Sequence, residues 1–483
     1  MNILAKNLMK NFTKTLPFCL GVLTLPASAT LYLDLEEDSI PVVSVSVMIP
    51  VGFQAYAAEN SGIFNLLPEI FDQGSKNLDR KKFFEQMAGF GANSGISVQN
   101  ESTIWTLDFP YIKDKDYSPM FQMLADQMAA PRFEEETLKL AKLKMTASLQ
   151  ASLDSDSSMV RTTAVRLRAF KDFASFPVLM DSLEKISLAQ VQTAYGRDYL
   201  KAMDGWSGVV APKDLLPIIE EGLTKIFPNL GSIKRGVKKT PLTFAARKTV
   251  NLKSYEAAII IDRPDRTQTL TSYTWLKAGT TKNMKSALSQ AFGNYVLAES
   301  GLNSYFGDEI RNKRGLAYAV GGIDDVYLGN TVIGLAANPQ RARNSESTDV
   351  FGELVKNAYE EANVFPMMSA DEWKTRFKSY QYDWILSERT ADGRLARRAS
   401  LIDGDVYPEL ALTSPSSWSI DQKDASEFFK KQFSGSSRIL VLVGDAKELT
   451  PIIGKAFPSM KVIAVPYKEM LKTETYQKLI SQF

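Results

Sequence analysis

The segments "SLAQVQTAYGRDYL" (residues 187–200) and "SIDQKDASEFFKKQF" (residues 419–433) share an outline. Each opens on S-x-x-Q, a capping box in which the serine and the glutamine satisfy each other's exposed backbone donors, and each continues with aromatics at similar helical positions. They lie 232 residues apart. Downstream, "GVVAPKDLLPIIEEGLTKIFPNL" from Gly208 parallels "LVLVGDAKELTPIIGKAFPSM" from Leu440: a β-rich run, a polar turn, and a helix starting near Leu-Pro-Ile-Ile or Thr-Pro-Ile-Ile and ending in Phe-Pro. The Pro-Ile-Ile offset is 234 and the Phe-Pro offset 230, so a spacing near half the chain is kept while small gaps accumulate. That pattern predicts a duplicated unit.

Within the first unit, "VVSVSVMIP" (42–50) alternates with the period of a strand, "LDRKKFFEQMAGFG" predicts a helix closed by Gly89 or Gly91, and "STIWTLDFP" (102–110) predicts a second strand. Two long stretches, "FEEETLKLAKLKMTASLQASL" and "SSMVRTTAVRLRAF", are helical in composition. The expected class is α+β: two homologous units in tandem, each a largely antiparallel sheet with helices over one face.

The ends and the junction carry their own patterns. Lys6, Lys10 and Lys14 precede an apolar run from Leu16 to Leu25 and then Ala27-Ser28-Ala29, which predicts a secretory signal over residues 1–29. The apolar run is shorter than the ~20 residues that span a bilayer, so export without stable membrane insertion is expected. The expected divisions are a first unit over 30–228, a basic linker over 229–245 with Lys234, Arg235, Lys238 and Lys239, a second unit over 246–464, and a tail over 465–483 that reads either as a packed helix or as a disordered end.

Composition removes whole classes of chemistry. The net charge of +2 becomes −1 without the signal's three lysines, which gives no general attraction to nucleic acid or membrane. The single cysteine, Cys19, lies in the signal, so the exported chain would have neither disulfide nor thiolate. There is no histidine, which excludes Ser-His-Asp and Cys-His catalysis. No G-x-x-x-x-G-K-[ST] or G-x-G-x-x-G loop occurs, and Ser182-Leu183-Glu184-Lys185 matches S-x-x-K alone, which reads as a polar turn.

One motif stands out in the second half: Gly301-Leu302-Asn303-Ser304-Tyr305-Phe306, then Arg311-Asn312-Lys313-Arg314-Gly315-Leu316-Ala317-Tyr318. With the duplicated α+β units and the "VGFQAYAAENSGIFNLL" approach in the first half, it resembles the insulinase/pitrilysin metallopeptidases, whose second-half signature is a small-residue turn followed by R-x-x-x-G-L-x-Y. The resemblance implies a clam-shell half built of two units. It also implies a zinc motif H-x-x-E-H on a helix in the first unit, with a third ligand, a glutamate, on a later helix.

The segment that aligns with that motif is "GIFNLLPEIFDQGS" (62–75). It reads as one amphipathic helix, with Ile63, Leu66, Leu67 and Ile70 on the buried face, Gly74 as its stop and Pro68 in its second turn. The first ligand position holds Asn65, the position of the general base holds Pro68, and the second ligand position holds Glu69. The third ligand would fall near Ala147 or Ser148, within a stretch from Thr137 to Leu153 that has no acidic residue. Asn65 and Glu69 share a helix face, but one amide and one carboxylate make a poor metal site.

In two-chain members of the family, the resemblance further implies, one chain supplies zinc and the other an arginine and a tyrosine seven residues apart that reach the substrate. Arg311 and Tyr318 have that spacing. They would offer a cationic fork and a phenol to a peptide carbonyl that becomes an oxyanion. The plain alternative is that Arg311 pairs with Asp308 or Glu309 and Tyr318 ends a strand; Arg314 reads as an exposed charge. The expectation is a periplasmic, non-catalytic subunit without its own cofactor, inactive alone, paired with a zinc-bearing homologue and binding peptide along a sheet edge, where the small residues at 301–304 allow close approach. A stand-alone or homodimeric pseudopeptidase that binds peptide or serves as a structural module is the alternative.

Overall fold

The computed structural model describes residues 33–34, 42–49, 51–52, 62–99, 102–160, 163, 180–200, 206–228, 256–277, 283–327, 330–387, 389–390, 393, 395, 413–434 and 438–482. The signal at 1–29 and the linker at 229–245 lie outside the described residues.

The first unit contains β1 (Leu33–Asp34), β2 (Val42–Ile49), α1 (Leu67–Phe71), α2 (Arg80–Phe90), β3 (Asn93–Val98), β4 (Thr103–Pro110), α3 (Ser118–Ala129), α4 (Glu135–Asp154), α5 (Met180–Lys185), α6 (Leu188–Ala194), β5 (Trp206–Val210) and α7 (Leu216–Ile226). The second contains β6 (Glu256–Asp262), β7 (Leu270–Lys277), α8 (Met284–Asn294), β8 (Ala317–Tyr327), β9 (Asn330–Pro339), α9 (Asn344–Val355), α10 (Val364–Met367), α11 (Ala370–Ser387), α12 (Gln422–Phe433), β10 (Arg438–Gly444), α13 (Ala446–Ala456), β11 (Lys461–Pro466) and α14 (Thr473–Ser481).

The sheets repeat each other. The first runs β1-β5-β2-β4-β3 and the second β11-β6-β10-β7-β9-β8, the same order with β11 added at one edge. Both are largely antiparallel, with parallel pairs where β1 meets β5 and where β6 meets β10 and β11. This is the α+β tandem expected from the duplication. The twin Phe-Pro helix ends are alike down to the backbone: Phe227 donates to Leu223 O and Phe457 to Ile453 O, each at 2.8 Å, with φ/ψ near −127/68 and −131/71.

At the helix starts the two copies diverge, and only the first behaves as expected. Ser187 and Gln190 form the capping box of α6, but α12 is capped by Asp421, whose carboxylate accepts from Asp424 N at 2.7 Å. Gln422 instead donates to Phe365 O and Met368 O. Likewise α7 begins at Leu216 with Pro217 in its first turn, whereas α13 begins at Ala446 under an Asp445 cap, which leaves Pro451 inside the helix. Ser182 to Lys185 belong to α5 rather than to a turn, with Ser182 buried.

Each sheet packs one face on helices. Val43, Val45 and Val47 of β2 meet Leu67 and Ile70 of α1, Phe121 of α3 and Ile219 of α7 in one core; Ile260, Trp275, Leu335 and Leu442 meet Phe292 of α8 and Phe429 of α12 in the other. The second sheet is covered on its other face as well. Ile259, Ile261, Ile439, Val441, Val443 and Val465 pack against Met159 and Val160, which follow α4, and against Met470 and Leu479 of the C-terminal segment. Strands buried on both faces read as unbroken apolar runs, as β6 and β10 do. From residue 465 the chain thus completes β11 and then forms α14.

Candidate functional site

The segment aligned with a zinc motif is not one helix. A 3₁₀ turn covers Phe64–Leu66 and the α-helix starts only at Leu67. Pro68 therefore lies in the first turn of α1, where a backbone N–H has no intrahelical partner to lose, and not in a second turn where it would break the ladder. The buried face is as expected, with Ile63, Leu66, Leu67 and Ile70 each at most 2% exposed. Gly74 ends the segment at φ +89°, and a Cβ there would stand 2.3 Å from Leu78 O.

What the three positions present is a closed ion pair. Both carboxylate oxygens of Glu69 accept from Lys144 Nζ at 2.7 Å, and Gln73 Nε2 adds a bond of 3.1 Å to Oε1. Lys144 stands on α4, the helix expected to carry a third ligand at Ala147 or Ser148, about one turn earlier. An ammonium thus supplies the positive charge between the two helices. The Asn65 Oδ1 is buried without a hydrogen-bond partner among the described residues. Burial raises the Asp72 carboxyl above the usual range, and neighbouring Glu69 adds to this against the opposing charges of Arg80 and Lys144. An amide, an imino acid and a carboxylate already neutralised by lysine do not fit zinc. Among the described residues no group of three or more His, Cys, Asp or Glu side chains could hold a metal. The space between α1, α2 and β3 is a cavity of about 20 Å³ bordered by Pro68, Phe71, Phe83, Ile96, Trp105 and Gln127, enough for one water and no substrate group.

The second-unit motif is open where the first is closed. Arg311 lies in a π-helical turn, Gly307–Lys313, and Tyr318 on β8, the edge strand that corresponds to β3. Between them the chain reverses at Gly315 (φ +57°), and buried Leu316 returns its N–H to Ile310 O at 2.9 Å. Arg343 Nη1 holds Gly315 O at 2.9 Å. The register shifts between Ala317 and Val320, a bulge in which Ala319 N–H donates to Asn338 Oδ1 at 2.7 Å. Bulges of this kind re-aim a side chain. Tyr318 is 73% exposed, and the Arg311 guanidinium carbon lies over its ring at 4.4 Å from the centroid.

The acids next to Arg311 are engaged by other cations. Asp308 takes Lys313 Nζ at 2.9 Å, and Glu309 takes Lys313 Nζ at 2.6 Å together with Arg314 Nη1. Burial works against ionised Glu309, but those hydrogen bonds outweigh it and hold its carboxyl below the usual range. Arg311 itself forms no ion pair among the described residues, so the alternative pairing with Asp308 or Glu309 is not made; Arg314, read as an exposed charge, is exposed and takes Glu309. The glycine-rich turn also has an internal reason. A Cβ on Gly307 would lie 2.4 Å from Gly301 O, and Ser304 Oγ bridges Gly301 O and Gly307 N at 2.7 and 3.0 Å. Sequence reasoning missed Lys144, whose contact with Glu69 spans 75 residues and leaves no local pattern.

Residues 33–177 match the family model of insulinase, peptidase family M16. No curated protein matches the chain. Among solved structures it is similar to a peptidase M16 inactive domain from Pseudomonas fluorescens, with 16% identity and a TM-score of 0.68 over 87% of this chain and 97% of that one. It is also similar to a protease from Helicobacter pylori, with 14% identity and a TM-score of 0.63 over 86% and 98%. A third, the periplasmic protease PqqL from Escherichia coli, has 13% identity and a TM-score of 0.64; this chain covers 44% of its length, and the match takes in 85% of this chain. At such identities the likeness establishes the fold. No helix among the described residues is long and apolar enough to cross a membrane.

Proposed function

We propose that this chain, an insulinase-like member of peptidase family M16 without the zinc motif, is a non-catalytic subunit of a periplasmic zinc peptidase. A separate zinc-bearing homologue would complete the chamber, and this chain would contribute Arg311 and Tyr318 to holding the peptide during hydrolysis. The observation that carries the reading is the contrast between the two units. The metal-motif positions are neutralised internally by Lys144, while Arg311 stacks on exposed Tyr318 beside an open strand edge with its donors uncommitted. An edge strand can take an extended peptide through main-chain hydrogen bonds. Two structural neighbours lend support: a periplasmic protease favours the same compartment, and an inactive domain of the same peptidase family favours the lack of independent catalysis.

The test is peptide hydrolysis by the exported chain alone and mixed with the zinc-bearing homologue from the same genome, with zinc measured in parallel. The chain alone is expected to carry no zinc and to be inactive. In the mixture, hydrolysis should exceed that of the homologue, and Arg311→Ala or Tyr318→Phe should lower the gain about 10-fold, the effect of removing one charged or transition-state hydrogen bond. Stoichiometric zinc with chelator-sensitive activity of this chain alone would refute the proposal. No effect on the homologue would leave the stand-alone or homodimeric binding module.

A further inference from the structure

Resting on the reading that Arg311 and Tyr318 hold peptide, we infer which part of the peptide Arg311 takes: a free C-terminal α-carboxylate, on a strand added antiparallel to β8. Charge is the first argument. Around the motif every other basic side chain is matched, Lys313 by Asp308 and Glu309, Arg314 by Glu309, Arg343 by Glu346 and Arg376 by Glu372. Among the described residues around the motif Arg311 is the cation left over, and its guanidinium lies over the Tyr318 ring, 4.4 Å from the centroid. A planar guanidinium with free donors matches a carboxylate in bidentate fashion, whereas a backbone carbonyl accepts less of it and neutralises nothing.

Chain direction is the second argument. Tyr318 is the second residue of β8, so the pair marks the strand's beginning. A peptide running antiparallel along this edge ends there with its carboxylate. A parallel peptide would bring its ammonium to the same place, against Arg311. The third argument is a glycine that the protein's own packing does not require. A Cβ on Gly322 would press within 2.9 Å of Glu299 Cγ, but one on Gly321 would meet nothing within 4 Å among the described residues. Glycine weakens a strand, and in an edge strand it marks a place where another backbone or a ligand comes close.

The probe is a fluorescein-labelled ten-residue Thr/Val/Ser peptide made in two forms, as the C-terminal acid and as the C-terminal amide, titrated against the exported chain by fluorescence anisotropy. The acid should bind about 10-fold or more tighter than the amide, as expected for a charged hydrogen-bonded pair, and the preference should fall to near parity in Arg311→Gln. An unchanged thermal midpoint would show that the variant is folded. Equal binding of acid and amide, with both weakened in Arg311→Gln, would overturn the carboxylate and keep the peptide site. Failure of both peptides to bind, or binding indifferent to Arg311→Gln and Tyr318→Phe, would overturn the site itself.

Discussion

Lys144 does in this chain what a cation does between two helices, and its removal should be felt through Glu69. The Glu69 side chain is 13% exposed and the Lys144 side chain about half exposed, so solvent already screens part of the attraction. Lys144→Met keeps the aliphatic stem and leaves Glu69 with Gln73 alone. It should lower the unfolding free energy by about 1 kcal/mol in urea titration. The double variant Glu69→Gln/Lys144→Met, which removes the stranded charge, should recover most of the loss. A single variant as stable as the parent would mean that the pair is ornamental and that α1 is held to α4 by packing alone. The same residue logic explains why Pro68 is harmless: the donor it lacks has no partner at that position of the helix.

At the scale of elements, the duplicated helices α7 and α13 form a natural experiment, since both contain Pro-Ile-Ile and only one starts there. Pro217 stands in the first turn of α7; Pro451 stands in the interior of α13, where it cannot donate to Lys447 O. Pro451→Ala should therefore stabilise the protein by about 2 kcal/mol, the interior cost of proline less the entropy it removes from the unfolded chain. Pro217→Ala should be neutral or slightly destabilising. Calorimetry of the two variants decides; equal shifts would mean that the ladder of α13 is already relaxed around its proline. These helices also show what the sequence makes legible. Periodicity and the shared Phe-Pro ends exposed the duplication because helix termini and strand alternation are local. The start of α13 was hidden because the shared proline competes with Asp445 as a helix-start signal, and the cap of α12 because Ser419 and Asp421 are both good caps two residues apart. Arg311 and Tyr318 were singled out through the family resemblance, and the structure brings them side by side. That β8 is an edge, that Lys313 and Arg314 absorb the neighbouring acids, and that Lys144 closes the metal position were not legible, since each depends on pairing between segments far apart or on side-chain direction.

At the scale of the whole molecule, the junction of the two units is built from a charge and an apolar patch that belong to both. Asp156, just after α4, accepts from Arg263 Nη1 at 2.8 Å and lies 2.9 Å from Arg266 Nε; Arg263 also donates to Leu153 O at 2.8 Å and stacks over Tyr467, next to β11. Met159 and Val160 follow directly and complete the apolar layer under the second sheet. The Arg263 side chain is only 7% exposed, so its guanidinium depends on these partners. Asp156→Asn leaves Arg263 only the exposed Asp154, at 3.6 Å, and Asp265, at 4.0 Å, and should cost about 2 kcal/mol, because undercompensating one member of a buried pair is more damaging than lacking the pair. The replacement Asp156→Leu/Arg263→Met/Arg266→Met removes all three charges from the same place and should restore most of the stability. Hydrogen exchange locates the effect. In Asp156→Asn the amides of β6 and β10, which pair with neighbouring strands within the sheet, should keep their protection, while residues 153–160 and α14 exchange faster together. If those two segments loosen independently, the charge is a local tether. If they loosen as one, it is the catch that closes residues 153–160 of the first unit onto the second sheet.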